Sequence, residues 1–383
     1  VHMYIPWIDI SLVANRPFLE LLLAFVHEPQ LHEGACLCLS DIVAKRMEPQ
    51  PKLEHLVQLS MVQLLGEAAG KGGEALMTAP FSTLASSLCL ELLDCWDRLS
   101  MREPRRADHA ALAAQASLHL QQCMPLLLSC LGAADMDVSA CTMSFLHSYV
   151  GRLRKLLPSP DRLQDHAEHL QHMLLVMARK SVHPEGFAFE SPDDDEDSFL
   201  GYRREISTLF KGVARVHPSL TQAFLLSTLQ STLDALETIH WSYVEVALWL
   251  AFQLGEGLPD ALIREKGGVF QQLMTSLLNS SVSAHPHQAV QLLYFEVIVR
   301  YYRFFLAQPD YLAAGLRSFL DTCGLYNPRA AVCSRACYLL LRFVKQTLKG
   351  ASASGFVEVM RTIMELLRAQ PVDALEAPDA QLL

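Results

Sequence analysis

Val244-Glu245-Val246-Ala247-Leu248-Trp249-Leu250-Ala251-Phe252-Gln253-Leu254 is apolar except at Glu245 and Gln253. A helix that is apolar almost all the way round must be covered on several sides, so this stretch predicts a helix sandwiched between neighbours rather than lying on a surface. What surrounds it is more of the same kind. Leu220 to Leu236 precedes it with helical spacing, Ala261 to Leu278 and Gln288 to Leu306 follow, and Tyr311 to Leu320, Ala331 to Leu348 and Phe356 to Leu367 continue the series. Upstream the pairs are Arg16 to His27 with Leu31 to Met47, Leu53 to Leu65 with Leu76 to Leu99, Ala111 to Leu131 with Val138 to Leu157, and Leu163 to Arg179 with Phe199 to Val216. Prolines punctuate the connectors at Pro29, Pro49, Pro51, Pro104, Pro158, Pro160, Pro218, Pro259, Pro286, Pro309 and Pro328.

No segment alternates as a strand does. The pairs recur roughly every 40 to 50 residues, the period of helical solenoids of the HEAT type. A single hairpin cannot bury apolar faces on both sides, whereas stacked hairpins can. The expected fold is therefore all-α, an α-α superhelix (HEAT-repeat solenoid) of about eight or nine antiparallel helix pairs, with each second helix on the concave side. It is expected to run as one continuous array over residues 1–383, a fragment of a larger protein whose Tyr4 to Val13 is the tail of an upstream helix.

One stretch departs from core building. Asp193, Asp194, Asp195, Glu196 and Asp197 are five consecutive acids within a segment, 183–198, read as an acidic loop, with Ser198 as the cap of a helix from Phe199. Phe199, Tyr202, Ile206, Leu209, Phe210 and Val213 form the apolar face of that helix, and Arg204, Lys211 and Arg215 form a basic stripe on another.

Composition narrows the function. Half the residues, 51%, are hydrophobic, enough for a continuous core and incompatible with disorder. With 31 Lys and Arg against 41 Asp and Glu the net charge is −10, so a polyanionic partner requires local basic patches. The run Ala110 to Ala134 lacks charges apart from its histidine but is broken by Gln115, His119, Gln121, Gln122 and Pro125, so a soluble chain without membrane insertion is expected. The ten cysteines lie mostly within apolar helical patterns, which points to a reducing compartment, cytoplasm or nucleus.

Catalytic chemistry finds no footing. His166, His169 and His172 spread over about 120° of a helix and cannot close a tetrahedral zinc site by themselves. Cys333 and Cys337 share a face without a second pair, and the glycine-rich stretch Gly66 to Gly73, read as a loop, lacks the spacing of a phosphate loop. No nucleophile, base and oxyanion donors assemble, so no enzyme, metal or cofactor is expected. Charge is the more informative signal. Arg335, Tyr338, Arg342, Lys345 and Lys349 fall within about 80° on one helix, and no acid occurs from Asn327 to Gly350. Together with Arg152, Arg154, Lys155 and the Arg204, Lys211, Arg215 stripe, these cations suit phosphates on a concave surface.

The ordered motifs carry a family resemblance. Tyr4-Ile5-Pro6-Trp7-Ile8-Asp9 resembles a segment of exportins, and Glu33-Gly34-Ala35-Cys36-Leu37-Cys38-Leu39 resembles the "EEACDCL" of the exportin-t, or tRNA exportin, family within the karyopherin-β superfamily. Asp135-Met136-Asp137-Val138-Ser139 resembles that family's "DDDIS" helix start. The acids with Phe199-Leu200-Gly201-Tyr202-Arg203, then Val244 to Leu248, Phe295 to Phe305 and Ser334 to Lys345, continue the match through about Lys349. The resemblance implies a monomeric receptor that exports mature tRNA with Ran in its GTP form, engages nuclear pore proteins, shuttles between nucleus and cytoplasm, and catalyses nothing. With such partners the charge pattern makes Arg204, Lys211, Arg215, Arg335, Arg342, Lys345 and Lys349 the candidate tRNA contacts, and Asp193, Asp194, Asp195, Glu196 and Asp197 a surface that faces Ran or competes with tRNA phosphates for the Arg204, Lys211, Arg215 stripe. Two other readings share the fold: a protein-interaction scaffold, and an importin-type carrier of protein cargo without RNA binding.

Overall fold

Apolar residues spaced at three and four dictate helices, and every regular element among the described residues is helical. A computed structural model describes residues 2–368 apart from 6, 102–106, 158–162, 188, 190–192, 258 and 351–352. The breakers Pro104, Pro158 and Pro160 lie outside the described residues. The chain divides into two units, one of residues 1–180 and 188–212, the other of residues 181–187 and 213–383.

In the first unit the helices stack in two rows. The second helices His32–Val43, Ala79–Met101 and Met143–Arg154 pack side by side, and so do the first helices Met61–Gly72, Ala107–Leu131 and Ala167–Lys180. Ala79–Met101 is the central member, touching both rows and burying Phe81, Leu84, Leu88, Leu92, Trp96 and Leu99. Each such side chain contributes about 1.5–3 kcal/mol of burial.

Some helices that the pattern reads as continuous are broken. Ser60 adopts a left-handed φ of 53° and splits one first helix into Pro49–Gln58 and Met61–Gly72. Another break falls at Cys141 and Thr142, between Met136–Ala140 and Met143–Arg154. There Ser82 Oγ donates to Val138 O at 2.7 Å and Ser86 Oγ to Cys141 O at 2.9 Å, supplying partners for carbonyls near the break. Lys52 is buried because Val43 O, Lys45 O and Glu91, 3.0 Å away, take its three protons and close the end of His32–Val43.

Two expectations need correction. The glycine-rich stretch Gly66 to Gly73 is helical through Gly72, because Met61, Leu65 and Ala68 bury a face against Ala107–Leu131; the turn comes only at Gly73, with φ of 55°. The acidic loop read as 183–198 ends earlier, for the helix begins at Asp194 and runs to Val216. Asp193 and Glu196 form a reciprocal cap: Glu196 N donates to Asp193 Oδ1 at 2.9 Å and Asp193 N to Glu196 Oε2 at 3.1 Å. Ser198, expected as the cap, instead donates its hydroxyl to Asp194 O within the first turn. The acids are tolerated there because the unpaired amides of a helix start favour negative charge.

Farther along, the helix is anchored as its apolar pattern predicts. Tyr202, Ile206, Leu209 and Phe210 are buried, with Phe199 half-buried. Tyr202 shares a short hydrogen bond with Ser139 Oγ, which in turn donates to Leu131 O, and Lys180 Nζ sits 5.9 Å from the tyrosine ring centre. Burial pushes the Tyr202 phenol up to about 12.

The second unit repeats the plan. Pro218–Asp234 packs on Val269–Leu278 and Leu312–Phe319 on Ala353–Arg368, while the second helices Trp241–Gly257, Gln288–Arg300 and Ala330–Gly350 stand side by side. Residues Val244 to Ala251 are all buried, as the opening stretch demands. Its polar interruption, Glu245, lies 3.6 Å from His183 Nε2, and the Trp241 ring at its start stacks on His287 with centroids 3.8 Å apart. The run Gln288 to Leu306 breaks at Tyr301, whose hydroxyl donates to Ala251 O at 2.7 Å. A Cβ on Gly255 would fall 2.8 Å from Arg300 Cγ and 3.1 Å from the Tyr301 ring, so a larger residue here would have to displace one of these side chains.

Candidate nucleic-acid interface

The basic stripe grows out of one helix with two faces. Asn327 opens it, accepting from Arg329 N at 3.0 Å and donating to Cys323 O, and Ala330–Gly350 follows without an acid. Val332, Ala336, Leu339 and Phe343 are fully buried, Phe343 meeting Phe305 at 5.1 Å and Phe319 at 6.0 Å between ring centres. Burying this face turns Arg335, Tyr338, Arg342, Lys345 and Lys349 to solvent, where all five are exposed.

The five are not equivalent. Arg335 donates from Nε and Nη2 to Glu296 Oε1 on the neighbouring second helix Gln288–Arg300, the Nε bond at 3.1 Å. Its guanidinium carbon stands 5.1 Å from the Tyr338 ring centre. Its charge is thus largely answered within the protein. Arg342, Lys345 and Lys349 form no ion pair among the described residues and remain open to an anion. Sequence reasoning missed Glu296, although an acid one repeat upstream on the neighbouring second helix was the signal to look for.

The stripe on Asp194–Val216 is present as well. Arg204 and Arg215 are exposed and Lys211 is half-buried, the three separated by seven and four residues and so sharing one helix face. Arg203, beside Arg204, is buried. At the start of the same helix Asp193, Asp194, Asp195 and Asp197 are exposed and Glu196 is half-buried.

A third set of cations does not serve. Arg152 is buried, Asp97 Oδ1 lies 3.0 Å from it and its guanidinium covers Trp96 at 4.6 Å, while Lys155 binds Asp97 Oδ2 at 2.8 Å. Asp97 is far away in sequence, so pairing across second helices consumed a patch that looked free. Arg154 alone of the three is exposed without a described ion-pair partner.

The remaining sequence candidates are structural. His166 is buried with Nδ1 at 2.9 Å from Tyr149 Oη and its ring 5.4 Å from Trp96; burial above all lowers its pKa to about 4. Cys333 Sγ donates to Leu325 O at 3.0 Å. Among the described residues no group of three or more His, Cys, Asp or Glu is placed to hold a metal, and no helix is long and apolar enough to cross a membrane.

Comparison with known proteins follows the same order along the chain. Residues 110–380 match the family model Exportin-T, and residues 1–39 match that of Exportin 1-like protein. Exportin-T of Mus musculus is 33% identical over 379 residues, covering 97% of this chain and 38% of that protein. Exportin-T of Homo sapiens is 32% identical over 382 residues, with 97% and 38% covered, and that of Arabidopsis thaliana 28% over 377 residues, with 96% and 37%. The chain thus spans about two-fifths of the length of the curated relatives it matches. Among solved structures, importin13 in its cytosolic state superposes with a TM-score of 0.64 at 15% identity, covering 96% of this chain and 46% of that one, which shows the shared helical-repeat fold.

Proposed function

This chain belongs to the Exportin-T family, and from that premise we propose that it is a cargo-binding portion of a nuclear export receptor that carries mature tRNA together with Ran in its GTP form. The observation that carries the proposal is the row Arg342, Lys345 and Lys349, three exposed cations without described acid partners on a chain of net charge −10. Evenly spaced point charges on a rigid helix suit a phosphate backbone, and they bind without reading bases, which fits a receptor that must accept many tRNAs of one shape. Arg204 and Arg215 add two further exposed cations on Asp194–Val216.

In this reading the protein moves its cargo by binding alone. It passes between nucleus and cytoplasm through contacts with pore proteins, and the chemical step that releases cargo belongs to Ran. The acids Asp193 to Asp197 face a basic surface of Ran, where exposed carboxylates at a helix start raise the association rate. The test is a titration of the chain with fluorescently labelled tRNA between about 50 and 200 mM salt. Affinity falling linearly in log–log form supports the proposal. Absence of binding at the lowest salt, with capture of basic protein ligands instead, would assign the chain to the protein-scaffold class.

A further inference from the structure

The basic face of Ala330–Gly350 carries more than charge. Tyr338 is 54% exposed and Leu341, three residues on, is 53% exposed, both outside the buried face made by Val332, Ala336, Leu339 and Phe343. The Tyr338 ring is held from one direction by the Arg335 guanidinium, and that guanidinium is pinned by Glu296. Arg342 follows Tyr338 by one turn, about 6 Å along the axis, and Lys345 and Lys349 extend the row.

We propose that Tyr338 is a stacking platform for an unpaired base of the bound RNA, with Leu341 beside it and Arg342, Lys345 and Lys349 holding the adjoining phosphates. The proposal rests on the RNA-binding reading above and adds what that reading lacks, a distinction between paired and unpaired nucleotides. An aromatic ring and a row of cations on one face are the two parts from which single-stranded nucleic-acid sites are built. The ring offers its π-face to any base, so the platform is indifferent to sequence, whereas bases inside a duplex are already stacked and cannot reach it. Charge complementarity selects the occupant. An apolar peptide would leave the cations without partners, and no acid on this helix answers them.

The experiment compares a blunt RNA hairpin with the same hairpin carrying a four-nucleotide unpaired tail, the tail containing 2-aminopurine. Wild type should prefer the tailed RNA and quench its fluorescence. Tyr338→Ala should lose about 5- to 100-fold in affinity for the tailed RNA, retain its affinity for the blunt one, and keep the salt slope unchanged because no phosphate contact is removed. Tyr338→Phe, which keeps the ring, should behave as wild type. If wild type binds both RNAs with a salt slope but without preference, or if Tyr338→Ala leaves the preference intact, the platform is refuted while the RNA-binding reading stands. If neither RNA binds, both fall. A drop in melting temperature of Tyr338→Ala with unchanged RNA preference would assign the ring to packing and likewise overturn the proposal.

Discussion

Replacing Arg342 and Lys345 together by glutamine removes two charges from the exposed row while leaving the helix intact. Glutamine is a good helix former, both positions face solvent, and the buried face is untouched. If each cation neutralises one phosphate of an RNA duplex, the log–log slope of affinity against salt loses about 0.9 per contact, about 1.8 for the pair. At 0.1 M salt that is a loss of about 60-fold, close to 2.4 kcal/mol, and doubling the salt should cost wild type about 3.5-fold more than the variant. Arg335→Gln should change the slope by much less than one contact, since Glu296 already holds that guanidinium. Glu296→Gln should do the opposite and steepen it by up to about 0.9, because a fourth cation is released. The assay is fluorescence anisotropy of labelled tRNA at four or five salt concentrations, with thermal melts as the folding control. A double variant with wild-type slope would refute the assignment of this helix to phosphates.

Three further outcomes follow from the geometry. His166 is held neutral by burial with a pKa near 4, so between its ordinary value of about 6.5 and 4 the unfolded chain binds more protons than the folded one. Stability is therefore lost as pH falls through that window, and His166→Gln should narrow the difference in urea midpoint between pH 7 and pH 5. Removing the reciprocal cap with Asp193→Ala and Glu196→Ala should cost about 1–2 kcal/mol locally, read as faster amide exchange at residues 197–200; unchanged exchange would show that the helix start is held by other contacts. Neutralising Asp194, Asp195 and Asp197 to Asn should slow association with Ran-GTP while moving the melting temperature little, since exposed charges contribute little to stability.

The helix pairs and their rows were legible because packing imposes the same periodicity on sequence and structure. Val244 to Leu254 announces a covered helix, and Tyr202, Ile206, Leu209 and Phe210 bury the face that their spacing defines. What escaped depended on contacts between distant residues. Arg152 and Lys155 look free along the chain and are consumed by Asp97; Arg335 looks equivalent to Arg342 until Glu296 is seen beside it. The acids were misread for a different reason. Repulsion between neighbours argued for a loop, but a helix fans successive side chains about 100° apart and offers unpaired amides at its start. The Asp193 and Glu196 spacing of a cap was already there to be read. Breaks at Ser60 and Tyr301 have no marker as plain as proline or glycine, the second being set by the Tyr301 bond to Ala251 O.

The central claim, that this is the cargo-binding part of a tRNA export receptor, is tested most directly by thermodynamic coupling. The measurement is the affinity of the full-length protein for tRNA with and without saturating Ran-GTP, and of Ran-GTP with and without saturating tRNA. The account predicts that each ligand tightens the other by the same factor, about 5- to 150-fold, and that Arg342→Gln with Lys345→Gln weakens tRNA binding in both states. Equal tRNA affinity with and without Ran-GTP would contradict it.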